Sequence, residues 1–230
     1  AMSVTDGLGC PRLRALENQE PLYVNPMDYN AMLLGHAWDA VVGAGEVEDL
    51  ICKPDGSVLF RSKIPLHGTI AGLPITGELD NIRRLADMLI LSDWKHSNNF
   101  RSKWIKQEGG PSAEYKVQTS IYAELYEQMF GERPTHGEVV YHFSGAGKEV
   151  LLPYQYPIIP IEECLAFKPY NGQRTVGELY QIAAMVYGDK AVDWRLVPLV
   201  GTEMSFGTKS YCDYCQAKDA CFSAERGAPF

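Results

Sequence analysis

Residues 74–95 read PITGELDNIRRLADMLILSDWK. Two runs in this stretch, Pro74 to Ile82 and Met88 to Lys95, have the β-branched and aliphatic content of sheet strands, and Arg84 to Asp87 between them reads as a turn. The pattern predicts two neighbouring strands of one sheet. Asp80 closes the first strand in Gly77-Glu78-Leu79-Asp80, and Asp93 follows thirteen residues later on the second, a spacing that lets a tight turn bring both carboxylates together. In a strand, residues two apart share a face, so Asp93 and Lys95 converge while Trp94 points away to pack. A divalent ion held by carboxylates that leave coordination positions open polarises a phosphodiester and lowers the pKa of water enough for hydrolysis at neutral pH. The two acids supply that donor type, Lys95 stands where it would position or activate water, and the Trp94 backbone carbonyl offers a further oxygen.

Upstream, Ser3 to Glu17 reads as a short capped helix carrying Cys10, with Thr5 or Asp6 as N-cap. Asn25-Pro26 opens a second helix through Met32, Leu33, His36 and Ala40 that stops near Gly43 or Gly45. Val47 to Lys53 and Ser57 to Ile64 read as strands joined by the turn Pro54-Asp55-Gly56-Ser57. Downstream, Ser112 caps an amphipathic helix that runs past Tyr126 to Gly131 and puts Gln118 and Tyr122 one turn apart. An amide and a phenol there can fix a lysine or contact a phosphate. Val139 to Phe143 and Glu149 to Tyr154 form a hairpin over Ser144 to Gly147, Thr175 to Val186 makes another helix, and the tail after Pro198 is irregular. Alternating strands and helices with no internal repeat predict one α/β core, a mixed sheet flanked by helices, with an appended lobe.

The chain of 230 residues is long enough to bury a sizeable core, and its 46% hydrophobic and 22% charged content is ordinary for a globular protein. No apolar run reaches the roughly 18 residues of a membrane span. Nor does a basic segment followed by an apolar run open the sequence, where Ala1 before Met2 reads as a cloning addition, so a cytoplasmic location is expected. A net charge of -8 argues against coating nucleic acid with the whole surface. Between Asn81 and Lys106, however, Arg83, Arg84, Lys95, Arg101, Lys103 and Lys106 face only Asp87 and Asp93, and Arg83, Arg84, Arg101 and Lys103 are candidate contacts for DNA.

Taken in order, Gly35-His36, Gly77-x-x-Asp80, Asp93-x-Lys95 and Gln118-x-x-x-Tyr122 resemble the motif series of RecB-like PD-(D/E)XK nucleases. The resemblance covers roughly Ser3 to Phe130 plus the tail, leaving Glu132 to Pro198 unassigned. It implies a restriction-endonuclease-like core over residues 1–230 in which His36, Asp80, Asp93 and the Trp94 carbonyl hold Mg2+ or Mn2+. Imidazole would bias the choice toward manganese. Lys95 would be the catalytic lysine, with Gln118 and Tyr122 as the supporting helix motif beside Asp80 and Asp93.

Of six cysteines, Cys212, Cys215 and Cys221 form a C-x2-C-x5-C pattern that lets thiolates converge on a metal, and Cys10 in Gly9-Cys10-Pro11-Arg12 is the best fourth ligand. Cys52 and Cys164 lie in apolar stretches and read as buried thiols. Four thiolates suit zinc or a [4Fe-4S] cluster. The terminal Cys-Pro-Arg paired with this triplet is similar to the iron-sulfur nucleases of the AddB type and the Cas-four family of CRISPR adaptation, which favours the cluster, in a lobe built from residues 1–20 and 199–230. That resemblance implies exonuclease action on single-stranded DNA, from the 5′ end, in CRISPR spacer acquisition or recombination and repair. An integrase or helicase partner and a homo-oligomer are in keeping with it. Two other classes stand beside this reading: an idle DNA-binding adaptor subunit of a helicase or integrase complex, and a zinc-stapled interaction protein. Gly145-Ala146-Gly147-Lys148 lacks the spacing of a phosphate loop, and His67, His96, His136 and His142 are scattered with no nucleophile elbow nearby, so serine-hydrolase chemistry is not expected.

Overall fold

The computed structural model describes residues 2–19, 61–98, 105–107, 109–144, 150–169, 174–189 and 191–197, with 205, 206, 209, 210, 215, 217 and 221. The expected His36 helix, the strand Val47 to Lys53, the turn Pro54 to Ser57, Cys52, Arg101, Lys103 and Cys212 lie outside the described residues. The chain divides into two compact units, one comprising Ala1–Tyr29, Thr69–Ile75 and Glu162–Phe230, the other Asn30–Gly68 and Thr76–Ile161. The terminal stretches 1–20 and 199–230 both fall in the first.

The strands are β1 (Met2–Ser3), β2 (Arg61–Ile70), β3 (Leu73–Leu85), β4 (Met88–Asn98), β5 (His136–Ser144) and β6 (Val150–Pro157). They form a mixed six-stranded sheet in the order β1-β3-β4-β5-β6, with β2 also paired to β3. β3 and β4 are antiparallel from Asn81↔Ser92 to Leu85↔Met88. The turn is thus the pair Ala86-Asp87, tighter than the expected Arg84 to Asp87, and Asp80 lies inside β3 instead of ending it. The cause is that Arg83 and Arg84 stay in the ladder, opposite Ile90 and Leu89. β2 continues to Ile70, beyond the Ile64 at which the sequence pattern ends that strand.

β4 and β5 run parallel, which demands a crossover. Helix α2 (Ala113–Phe130) is that crossover, ending at Gly131 with φ 73° as its sequence predicts. Val117, Ile121 and Leu125 bury the helix at the i, i+4, i+8 spacing of one face. Each fully buried side chain of this kind contributes about 2 kcal/mol. Thr119 and Ser120, also buried, return their hydroxyls to the carbonyls of Tyr115 and Lys116 at 3.0 and 2.7 Å, so these two hydroxyls are satisfied within the helix. Close approach to β5 depends on Gly137, where a Cβ would lie 2.6 Å from the Tyr156 ring and 3.0 Å from Thr119 Cγ2. β5 and β6 complete the unit as an antiparallel hairpin, in keeping with the sequence pattern.

In the first unit the single helix expected over Ser3 to Glu17 is two: a 3-10 helix, Val4–Leu8, and α1, Pro11–Glu17. Proline at N1 forces the residue before it into an extended conformation, and Cys10 at φ -88°, ψ 112° is that residue. Cys10 therefore caps α1 instead of riding on a helix face, and Ser3, not Thr5 or Asp6, caps the first turn, its N–H donating to Asp6 Oδ2 at 2.6 Å. After the short α3 (Ile161–Ala166), which buries Cys164 as expected, α4 (Val176–Gly188) opens on a capping box between Thr175 and Glu178. It buries Val176, Leu179, Tyr180, Ala183 and Val186 along one face. The Tyr180 hydroxyl donates to the Val4 carbonyl at 2.8 Å, and its ring fills the space where a side chain on Gly7 would be. The tail holds two short strands, β7 (Ser205–Phe206) and β8 (Lys209–Ser210), paired with each other. Among the described residues no helix is long and apolar enough to cross a membrane.

Candidate active site

Register places the chemistry. Asp93 pairs with Val139 and Lys95 with Tyr141 across β4 and β5, while Val139 faces Tyr154 and Gly137 faces Tyr156 on β6. Paired residues share a face, so Asp93 and Lys95 lie on the side of the sheet that α2 covers, with Val139, Tyr141, Tyr154 and Tyr156. The Lys95 ammonium reaches both oxygens of its neighbour, 3.0 Å to Asp93 Oδ1 and 2.8 Å to Oδ2. Asp93 is 4% exposed, so this is a largely desolvated pair. Asp80 joins it from β3: beyond the last ladder pair, its Oδ2 accepts the Trp94 backbone N–H at 2.8 Å. The carboxylate takes over the hydrogen bond a ladder carbonyl would otherwise make, which ties Asp80 to the strand segment that carries Asp93 and Lys95.

From α2, Gln118 Nε2 donates to the Tyr122 hydroxyl oxygen at 3.3 Å, and both residues are buried. Burial pushes the Tyr122 phenol up to about 12, eased by the Gln118 hydrogen bond and reinforced by Asp93 and Asp80. The same carboxylates act on Lys95. Burial alone would lower its ammonium, but Asp93, by charge and hydrogen bond, and more weakly Tyr115 and Asp80 hold it above the usual lysine range. At neutral pH the site thus combines a fixed cation, a neutral phenol and two aspartates within electrostatic reach of one another.

Asp80 and Asp93 supply hard oxygen donors of the kind magnesium and manganese take. Among the described residues no group of three or more His, Cys, Asp or Glu is set to hold a metal ion. The donor set fits such an ion in type, and the third side-chain donor named from the sequence, His36, lies outside the described residues. Arg83 and Arg84 are engaged within the protein: Arg83 Nη2 donates to Glu138, and Arg84 Nη2 lies 2.6 and 2.7 Å from the two oxygens of Glu132. A phosphate at either would compete with a carboxylate.

Sequence reading missed the opposite face of the same strands. There Glu138, 3% exposed, accepts from Arg83, from Ser92 Oγ at 2.8 Å and from Gln155 Nε2 at 2.9 Å, drawing β3, β4, β5 and β6 together one residue away from Asp93. The signal was a lone acid inside the apolar run Gly137-Glu138-Val139-Val140, where only a buried, partnered carboxylate makes sense. Trp94 shares this face, and its indole N–H is buried with no hydrogen-bond partner among the described residues.

The cysteines form a separate group in the first unit. Cys215 packs against a core of Ala15, Leu16, Val186, Val197, Ala217 and Cys221. Burial pushes its thiol up, and Cys10 and Cys221 act on it as neighbouring charges. Cys215 and Cys221 thus share one core, no three of the described cysteines form a group set to hold a metal ion, and none of the described cysteines forms a disulfide. Arg12, two residues after Cys10, donates from Nε to the Val197 carbonyl at 2.7 Å, from Nη2 to the Arg195 carbonyl at 3.4 Å and from Nη1 to Cys221 Sγ at 3.7 Å.

Fold and site together define a mixed α/β protein with an aspartate-lysine site on a central strand. No protein-family model and no curated protein matches the sequence. Similar solved structures include the crystal structure of SSO0001, which has 16% identity over 96% of this chain and 85% of that one, with a TM-score of 0.49. An alkaline exonuclease (LHK-Exo) from Laribacter hongkongensis has 14% identity over 76% of this chain and 87% of that one, with a TM-score of 0.39.

Proposed function

We propose that this protein is a metal-dependent nuclease that hydrolyses phosphodiester bonds of single-stranded DNA from the 5′ end. The observation that carries the reading is the convergence of Asp80, Asp93 and Lys95, the Lys95 ammonium on the Asp93 carboxylate and the Asp80 carboxylate on the backbone N–H of Trp94 between them. Asp80, Asp93, His36 and the Trp94 carbonyl would hold Mg2+ or Mn2+, which when bound supplies a polarised phosphoryl group and a water of lowered pKa. Lys95, already protonated, serves as a fixed positive charge for the phosphorane that forms as the new P–O bond is made and the ester bond breaks. Gln118 occupies the Tyr122 oxygen as acceptor, which leaves the phenolic O–H to donate toward a phosphate oxygen or a site carboxylate.

Cys10, Cys212, Cys215 and Cys221 would hold a [4Fe-4S] cluster as a staple of the first unit, a reading supported by the packing of Cys215 with Cys221 and by Arg12, two residues after Cys10, donating to Cys221 Sγ. Spacer acquisition or recombination and repair, with an integrase or helicase partner, is the setting the sequence resemblance favours.

The deciding experiment follows end-labelled single-stranded DNA with Mn2+ or Mg2+. Wild type is expected to degrade it from the 5′ end, and Asp93→Ala and Lys95→Ala to lose at least about 100-fold in rate. A folded wild type that leaves the strand intact with either metal refutes the reading.

A further inference from the structure

We propose that Tyr115 is a positioning residue that holds the Lys95 ammonium against Asp93 through the face of its ring; this rests on the nuclease reading of the site. Lys95 Nζ stands over the Tyr115 ring, 5.0 Å from its centroid, inside the range in which a cation is attracted by the ring quadrupole. The ammonium is thus held from two sides, by the Asp93 carboxylate and by the aromatic face. A lysine has four rotatable bonds, and a carboxylate two residues away constrains only its tip, so a second contact is what selects one conformation of the side chain.

The ring is itself braced. Tyr115 meets the buried Tyr141 edge-on at 6.4 Å between centroids and 64° between planes, and Tyr141 meets Tyr154 in the same manner at 6.1 Å and 77°. Tyr141 is the register partner of Lys95 on β5, so the brace and the lysine are anchored side by side in the same sheet. Along α2, Tyr115, Gln118 and Tyr122 follow at i, i+3 and i+7, the spacing of one helix face. The helix motif directed at the carboxylates therefore extends one turn toward the N-terminus and becomes Tyr-x-x-Gln-x-x-x-Tyr.

The test separates the ring from its volume and its hydroxyl. Tyr115→Phe keeps the aromatic face, Tyr115→Leu keeps apolar bulk without it, and the two are compared by kcat and KM on single-stranded DNA with Mn2+. In parallel, the Lys95 ε-methylene resonances are followed by NMR in lysine-labelled protein and assigned through Lys95→Arg. A methylene beside a ring face is shifted upfield by the ring current whether or not the protein cleaves DNA. The expected result is a wild-type upfield shift and full kcat retained in Tyr115→Phe. Tyr115→Leu is expected to lose the shift and about 10-fold in kcat, with KM within about twofold, the size of one cation–π contact at a desolvated site. Equal behaviour of the Phe and Leu variants, or a loss that falls on KM, overturns the proposal while leaving the nuclease reading intact. A wild type that shows the upfield shift and no cleavage overturns both.

Discussion

Tyr122 shows how a site residue takes its properties from neighbours that lie far off in sequence. Its phenol is pushed up to about 12 by burial first, with Gln118 opposing and Asp93 and Asp80 adding to the effect. The unfolded chain ionises this tyrosine near 10. Since the folded state resists losing that proton, its contribution to stability is whole below pH 10 and declines as pH rises from 10 toward 12. Absorbance at 295 nm should show a tyrosine titrating near pH 12 that disappears in Tyr122→Phe; a difference midpoint near 10 would mean that the ring is solvated. From sequence, Gln118 and Tyr122 were recognisable as a pair because a helix puts i and i+4 together. The partners that tune the phenol, Asp80 and Asp93, reach it only through the packing of α2 on the sheet.

At the level of elements, the β3–β4 hairpin carries both aspartates, and its tightness sets their relation. Ala86, the first of its two turn residues, has φ 51°, a left-handed conformation that costs an L-residue about 1 kcal/mol and glycine little. Ala86→Gly should therefore raise stability by about 0.5 kcal/mol, seen as a higher urea midpoint at unchanged slope. No gain would indicate that the turn relaxes out of this conformation in solution. The strands themselves were legible in their aliphatic runs, whereas the turn was placed too early because Arg83 and Arg84 look like loop residues. Each has an acid elsewhere in the fold, Glu138 and Glu132, and those ion pairs keep both arginines in the ladder. The helix expected over Ser3 to Glu17 failed for a reason that was visible in the sequence: Pro11 cannot follow a helical residue without strain.

On the scale of the whole molecule, the unit that holds both termini is organised around Arg12, whose guanidinium reaches the Val197 and Arg195 carbonyls and the sulfur of Cys221. Lysine has one compact donor group and cannot make this fork, so Arg12→Lys should cost about 2 kcal/mol and lower the thermal midpoint. The same variant should release iron faster to a chelator if the cysteines hold a cluster; unchanged release would separate the arginine from the metal-thiolate staple. The mixed α/β class, the strand that carries Asp93 and Lys95 and the helix pair Gln118 and Tyr122 were legible in the sequence, because periodicity and short spacing are local properties. Only the tertiary structure decided that Asp80 caps the Trp94 N–H, that Tyr115 covers Lys95, that Glu138 ties four strands from behind, and that Arg12 grips the C-terminal segments. Those contacts join residues that approach one another only when the sheet forms and helices pack, and no spacing along the chain encodes them.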